Sequence, residues 1–340
     1  MIKIKFKIFS KIKDRFVSFM KRRPHRSFRQ TRRRDYVRSL RLPGYISFTK
    51  YVAKIIWSNR KNFILLALIY SIVTVLMVGI VSQDLYSTLT DTLGTTSEGF
   101  LVGFSGEIQK AGLLFLTALT GGMSQTLTDV QQVYAGIISL LAWLTSVWML
   151  RNILAGYKIK VRDGLYNAGA PILSTFLVAL LLIVQLLPLA LALIAYSSAA
   201  LTGILAGGVE AMLFWIAASL LVMLSLYWIT STIIALVIVT LPGMYPFQAI
   251  KTAGDLVVGR RLRILFRFLW MGLITVFVWA IIMIPIIMFD GWIKSVWTAI
   301  SWMPIVPVVL LVLAATTIIW VSSYVYLFYR KVVADDTSPA

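Results

Sequence analysis

The chain has 340 residues, 59% of them apolar and only 14% charged, with a formal net charge of +20. That apolar content lies above the range of soluble globular domains and marks an integral membrane protein. Cysteine is absent and His25 is the single histidine, which excludes disulfides, thiol nucleophiles and His- or Cys-ligated metal centres.

At the N-terminus, Ile2, Phe6, Phe9, Ile12, Phe16 and Phe19 recur every three or four residues, with Lys3, Lys7, Lys11, Arg15 and Arg22 on other faces. Lysines interrupt every apolar run, so the segment lacks the core of a cleavable signal peptide. It has the pattern of a basic amphipathic helix in the bilayer interface, against the plainer reading of a solvated tail. Residues 21–41 are arginine-rich and broken by Pro24. Arg22, Arg23, Arg26, Arg29, Arg32, Arg33 and Arg34 suit phosphate oxygens, because a guanidinium pairs with them bidentately. The phosphate could belong to anionic lipid, to ribosomal RNA or to a phosphate-bearing or acidic partner, and basic juxtamembrane clusters commonly bind lipid.

Leu42-Pro43-Gly44 opens a second amphipathic stretch, with Phe48, Val52, Ile55 and Ile56 on one face and Lys50, Lys54 and Arg60 on another. Arg60 and Lys61 stand where it enters the first of six apolar runs, 63–81, 133–150, 171–196, 211–241, 268–289 and 304–329. A hydrocarbon core of ~30 Å needs about 20 helical residues, so each run predicts a crossing. The expected division is a basic N-terminal region, 1–61, a six-helix transmembrane domain, 62–330, and a short tail, 331–340.

Alternate assignment of the connecting segments puts 20 of the 33 Lys and Arg in residues 1–61 and leaves only Lys110 and Lys294 on the opposite side. Basic flanks face the cytoplasm. This predicts a multi-pass protein of a bacterial inner membrane with both termini cytoplasmic. Asp84, Asp91, Glu98, Glu107, Asp129, Glu210 and Asp290 fall outside. The outer segment 82–132 is the longest; its apolar run 111–119 is too short to span and reads as a re-entrant or, more plainly, a surface helix. Trp292, Trp297 and Trp302 predict an aromatic belt.

The third crossing is approached through Lys158, Lys160 and Arg162, and the fifth through 241–268, where a Pro242-Gly243 turn precedes an amphipathic helix and the basic cluster Arg260, Arg261 and Arg263. Three basic approaches to odd-numbered crossings predict an all-α bundle of three elbow-and-hairpin units, and Arg60, Lys61, Arg260, Arg261 and Arg263 join the N-terminal arginines as expected contacts for anionic lipid or phosphate. Matching Lys61 with Arg261 also matches Ala53 with Ala253, Ile64 with Ile264 and Leu65 with Leu265. From Pro242 through Ala249-Ile250-Lys251 to Gly259-Arg260-Arg261, the pattern resembles the membrane domain that accompanies some bacterial glycerophosphodiester phosphodiesterases and related six-helix proteins. The resemblance could extend over 157–329 and implies a polytopic helical domain; the histidines and acidic metal ligands of the enzyme's barrel have no counterpart.

Charged residues fall at or beyond the ends of the apolar runs, which argues against a proton-coupled pump. Gln185 with Pro188, and Ser219, Ser225, Thr230, Ser231 and Thr232, are the most polar interior positions. A kinked hydrogen-bonding site and simple interhelical glue are the two readings of Gln185 and Pro188. Pro285, Pro304 and Pro307 could mark broken helices of a transporter. No Walker loop, HExxH, GxSxG or paired-carboxylate helix is present. The expectation is a non-enzymatic protein, without cofactor or metal, that organises anionic lipid or protein partners at its cytoplasmic face. A transporter of a small solute or lipid, and a ribosome- or RNA-contacting biogenesis factor, are the alternatives.

Overall fold

The computed structural model describes residues 42–79, 129–202, 205, 207–297 and 303–337. The expected N-terminal helix, Arg22, Arg23, Arg26, Arg29, Arg32, Arg33, Arg34, the run 111–119 and Trp302 lie outside the described residues. Among these residues the chain is all-helical, with nine helices: α1 Tyr45–Ser58, α2 Arg60–Met77, α3 Asp129–Leu154, α4 Val161–Asn167, α5 Ile172–Thr202, α6 Gly208–Ile238, α7 Pro246–Val257, α8 Arg261–Val296 and α9 Ile305–Thr337. Six of them, α2, α3, α5, α6, α8 and α9, are long and apolar enough to cross a membrane. The protein is a multi-pass membrane protein, and Leu42–Val333 forms one compact unit.

The order short, long, long repeats three times, as α1-α2-α3, α4-α5-α6 and α7-α8-α9. Local chemistry sets the corners. Helix α3 ends in a Schellman turn: Gly156 has φ +87°, its N–H donates to the Ile153 carbonyl at 3.0 Å, and Tyr157 N–H donates to Asn152 at 3.1 Å. Glycine is the residue that takes this left-handed position without a Cβ clash. After α6, the Met244 N–H donates to Leu241 at 3.3 Å across Pro242 and Gly243, and Gly243 has φ +76°. Proline then glycine with positive φ defines a type II turn. Pro246 follows at the first position of α7, where its missing N–H costs no helical bond.

Each short helix buries one stripe. Phe48 and Val52 are buried in α1, Val161, Gly164 and Ala168 in and just after α4, and Ala249, Ala253 and Val257 in α7. Positions three or four apart share a helix face. The stripe of α4 lies on α3 and α2, and that of α7 lies on α6 and α5, so these two elbows pack on the preceding hairpin. Helix α1 has no described hairpin before it. It packs instead on α8 and α9, where the Phe48 ring meets Tyr324 at 4.9 Å and Phe328 at 6.1 Å. The last unit is thereby closed onto the first.

The repeat register differs by one residue from the sequence expectation. Helices α1 and α7 start at Tyr45 and Pro246, and α2 and α8 at Arg60 and Arg261; both pairs are 201 positions apart. Burial follows the same offset, since Phe63 and Ile264, Leu66 and Arg267, and Val52 and Ala253 are buried equivalents. Ile64, Leu65 and Ala53, matched in the sequence to Ile264, Leu265 and Ala253, are exposed. The identities were coincidences between lipid-facing and inward positions. Pro43-Gly44 and Pro242-Gly243 also differ: Gly44 has φ −52° as the N-cap of α1, whereas Gly243 bends a separate turn.

A second correction concerns Asp290, expected in an outer loop. Helix α8 continues to Val296, and Asp290 is buried within it, with Lys294 donating to its carboxylate at 2.7 Å. An acid four residues before a lysine supports a helix, which extends α8 beyond its apolar run. Near this end, Trp279 and Met283 pack on Val306 and Leu310, and Trp279 Nε1 donates to Thr317 at 2.8 Å.

Gly164 sets how closely α4 approaches α3. A Cβ there would lie 2.9 Å from Met149 Cγ and 3.2 Å from Thr145 Cγ2, and Thr145 is held by Tyr70 Oη at 2.7 Å. Gly164→Ala is expected to lower stability by about 1–3 kcal/mol through overpacking. Gly254, inside α7 with open space around it, is the control: Gly254→Ala should raise stability by roughly 0.5–1 kcal/mol. Thermal unfolding in detergent checks both signs.

Candidate membrane-interface surface

Burial of one stripe turns the opposite face of each elbow outward. Helix α1 exposes Lys50, Lys54, Tyr51 and Trp57, α4 exposes Arg162 and Tyr166, and α7 exposes Phe247 and Lys251. The approaches to α4 and α7 add Tyr157, Lys158, Lys160 and Tyr245, all exposed. Basic side chains interleaved with aromatic rings on a flat helix match the bilayer interface, where rings sit among headgroups and cations meet phosphates. The start of α4 is held locally, with the Lys160 N–H donating to the Asp163 carboxylate at 3.2 Å.

Among the predicted contact residues in the described part, Arg60, Lys61 and Arg263 are exposed. Arg60 stacks over the Trp57 ring at 5.4 Å. Arg260, the N-cap of α8, is buried. Arg261 is half-buried, donates from Nη1 to the Tyr227 carbonyl at 3.1 Å and lies 3.8 Å from the Tyr227 ring centre. The cluster read as one patch is thus divided: Arg263 faces outward, Arg260 is buried, and Arg261 ties α8 to α6.

Arg267, outside the expected contact set, is the most consequential cation of the group. It is buried, donates from Nη2 to the Pro43 carbonyl and lies 4.0 Å from the Tyr45 ring centre. Tyr45 meets Trp270 edge-on at 5.7 Å, and Trp270 Nε1 donates to Thr49 Oγ1 at 3.2 Å. Stacking and a carbonyl acceptor offset the desolvation of the guanidinium. A signal was available: Arg267 stands on the stripe Ile264, Arg267, Phe268, Met271, an apolar face interrupted by one cation.

Gln185 and Pro188 are half-buried in α5. The fully buried Ser225 of α6 donates to the Gln185 carbonyl, and buried Thr232 donates to Gln185 Oε1 at 2.6 Å. Proline at 188 leaves the Val184 carbonyl without its helical donor, and the Ser225 bond falls on the next carbonyl. Both oxygens of Gln185 are therefore engaged by α6, which fits the packing reading of this pair. Among the described residues, no three His, Cys, Asp or Glu side chains come together as a metal site.

Compared with known protein families, curated proteins and solved structures, the chain matches none.

Removing the Arg267 clasp should free the start of α1. Arg267→Gln is expected to cost about 1.5–3 kcal/mol, the scale of a hydrogen bond to a charged group, and to speed tryptic cleavage after Lys50 and Lys54. Limited proteolysis of the protein in nanodiscs measures this. Cleavage at the wild-type rate would contradict the role given to Arg267.

Proposed function

We propose that the protein is a non-enzymatic membrane protein of a bacterial inner membrane, both termini cytoplasmic, which organises anionic lipid, and partners recruited with it, against its elbow face. One observation carries this reading. Among the described residues, every Lys and Arg lies at the elbow end except Lys294, which is tied to Asp290 at the other end. Asp129 and Glu210, both exposed, also stand at that other end. The positive-inside relation then puts the elbows in the cytoplasmic leaflet, where anionic headgroups concentrate and each basic residue near the surface contributes about 1 kcal/mol of attraction.

The exposed rings support the same placement. Trp57, Tyr166 and Phe247 project from the three elbows, and such rings favour the headgroup boundary over either water or hydrocarbon. The interior is correspondingly quiet: Ser225 and Thr232 of α6 bond Gln185 of α5, and Ser219, Thr230 and Ser231 bond carbonyls of their own helix.

The test is the lipid shell of the full chain in discs of mixed phosphatidylglycerol and phosphatidylcholine. Co-purified lipid should be enriched in phosphatidylglycerol. Replacing Lys50, Lys54, Lys158, Lys160 and Lys251 by Gln should reduce that enrichment, and high salt should do the same. A wild-type shell with the composition of the bulk bilayer would sink the proposal.

A further inference from the structure

Beneath the Pro242-Gly243 turn lies a cavity of about 410 Å³, within the size range of small-molecule sites. Leu144, Trp148 and Arg151 of α3 line one wall, at spacings of four and three that place them on one helix face. Asn167 and Ser174 line the side formed by the link from α4 to α5, and residues 239–245 roof it. Among the described residues no Asp or Glu lines the cavity, and Arg151 gives the described lining a positive charge.

The guanidinium is oriented before any ligand arrives. Arg151 Nη1 donates to the Thr240 carbonyl at 3.2 Å, at the C-terminal end of α6. That single bond fixes the side chain and leaves the rest of its five N–H donors for the cavity. Arg151 lies three residues before the end of α3, about 5 Å along the axis at 1.5 Å per residue. A cation at that depth meets the phosphate layer of a bilayer whose surface is marked by the elbows. The neighbouring Ser174 hydroxyl and Asn167 amide suit the hydroxyls of a polyol, and Trp148 and Tyr245 supply flat apolar walls.

We propose that this cavity is a discrete binding site for a phosphate group, held by Arg151 and bearing a polar substituent beside Asn167 and Ser174. The group comes either from an anionic phospholipid headgroup or from a water-soluble phosphate. This rests on the reading of the elbow end as the anion-facing surface and adds one saturable site to a diffuse attraction.

Two probes separate the sources. Native mass spectrometry of the full chain released from phosphatidylglycerol-containing discs reads lipid retention. Inorganic phosphate titrated into phosphatidylcholine discs, followed by thermal unfolding, reads the soluble ligand. The expectation is either one phosphatidylglycerol held per chain when others are stripped, or a saturable rise in the unfolding midpoint with phosphate. Arg151→Gln should weaken whichever signal appears by about tenfold or more, the scale of one lost charge-assisted hydrogen bond. Ser174→Trp fills the cavity without touching the Arg151–Thr240 bond, and should abolish the signal in a folded protein. Absence of both signals in the wild type, or their survival in Ser174→Trp, overturns the proposal. Bulk phosphatidylglycerol enrichment, measured on the same samples, reports on the general reading separately: enrichment without a saturable site sinks the site alone, and a saturable site without enrichment sinks only the diffuse attraction.

Discussion

Each elbow is held by a buried stripe, pressed in α4 and α7 against the preceding hairpin and in α1 against the last unit, and the remaining architecture follows from that packing. A short helix at a bilayer surface has little stability of its own, because nucleation is costly and few bonds are gained. Here the elbow's inward residues are small where the approach is close, as at Gly164 against Met149 and at Ala249 and Ala253, and aromatic where a gap must be filled, as at Phe48. The contact settles which face turns outward. The basic and aromatic exterior at the elbow end is its consequence.

Closure of the three units depends on a different chemistry. Where the equivalent position Leu66 of the first unit is aliphatic, the third unit has Arg267, which reaches the Pro43 carbonyl and the Tyr45 ring at the start of α1. The arrangement is directional in a way that apolar packing is not. A buried cation is expensive near a membrane, so it is retained only with its partners in place. The same reasoning separates the basic residues of 260–267. Those bonded to carbonyls and rings hold the structure, and Arg263 with the elbow lysines is left exposed.

Much of this was legible in the residues. Run length and hydropathy located the six long helices, Pro242-Gly243 located a turn, and the basic approaches located the elbows. Three features were not legible, each for a physical reason. The one-residue error in the repeat arose because apolar identities do not distinguish a lipid-facing side chain from an inward one in a helix that is apolar all round; Ile64 and Ile264 are the same residue in opposite environments. The extension of α8 past Asp290 depended on the ion pair with Lys294, a four-residue relation that hydropathy overlooks. The partner of Arg267 lies 224 positions away, and local spacing carries no information about it. For Gln185, the sequence identified the polar position, but the hydroxyls that bond it, Ser225 and Thr232, come from the neighbouring helix.

Closure of the third unit onto the first is the claim on which the account rests, and the absence of native cysteine permits a clean test. Thr49 and Trp270, joined by a 3.2 Å hydrogen bond, are replaced together by cysteine in the full chain. A short bifunctional thiol reagent is applied in native membranes, and the joined peptides are sought by mass spectrometry. The account predicts an efficient cross-link within one chain between α1 and α8, lost when either cysteine is omitted. A double variant that labels at both thiols yet never cross-links would contradict it.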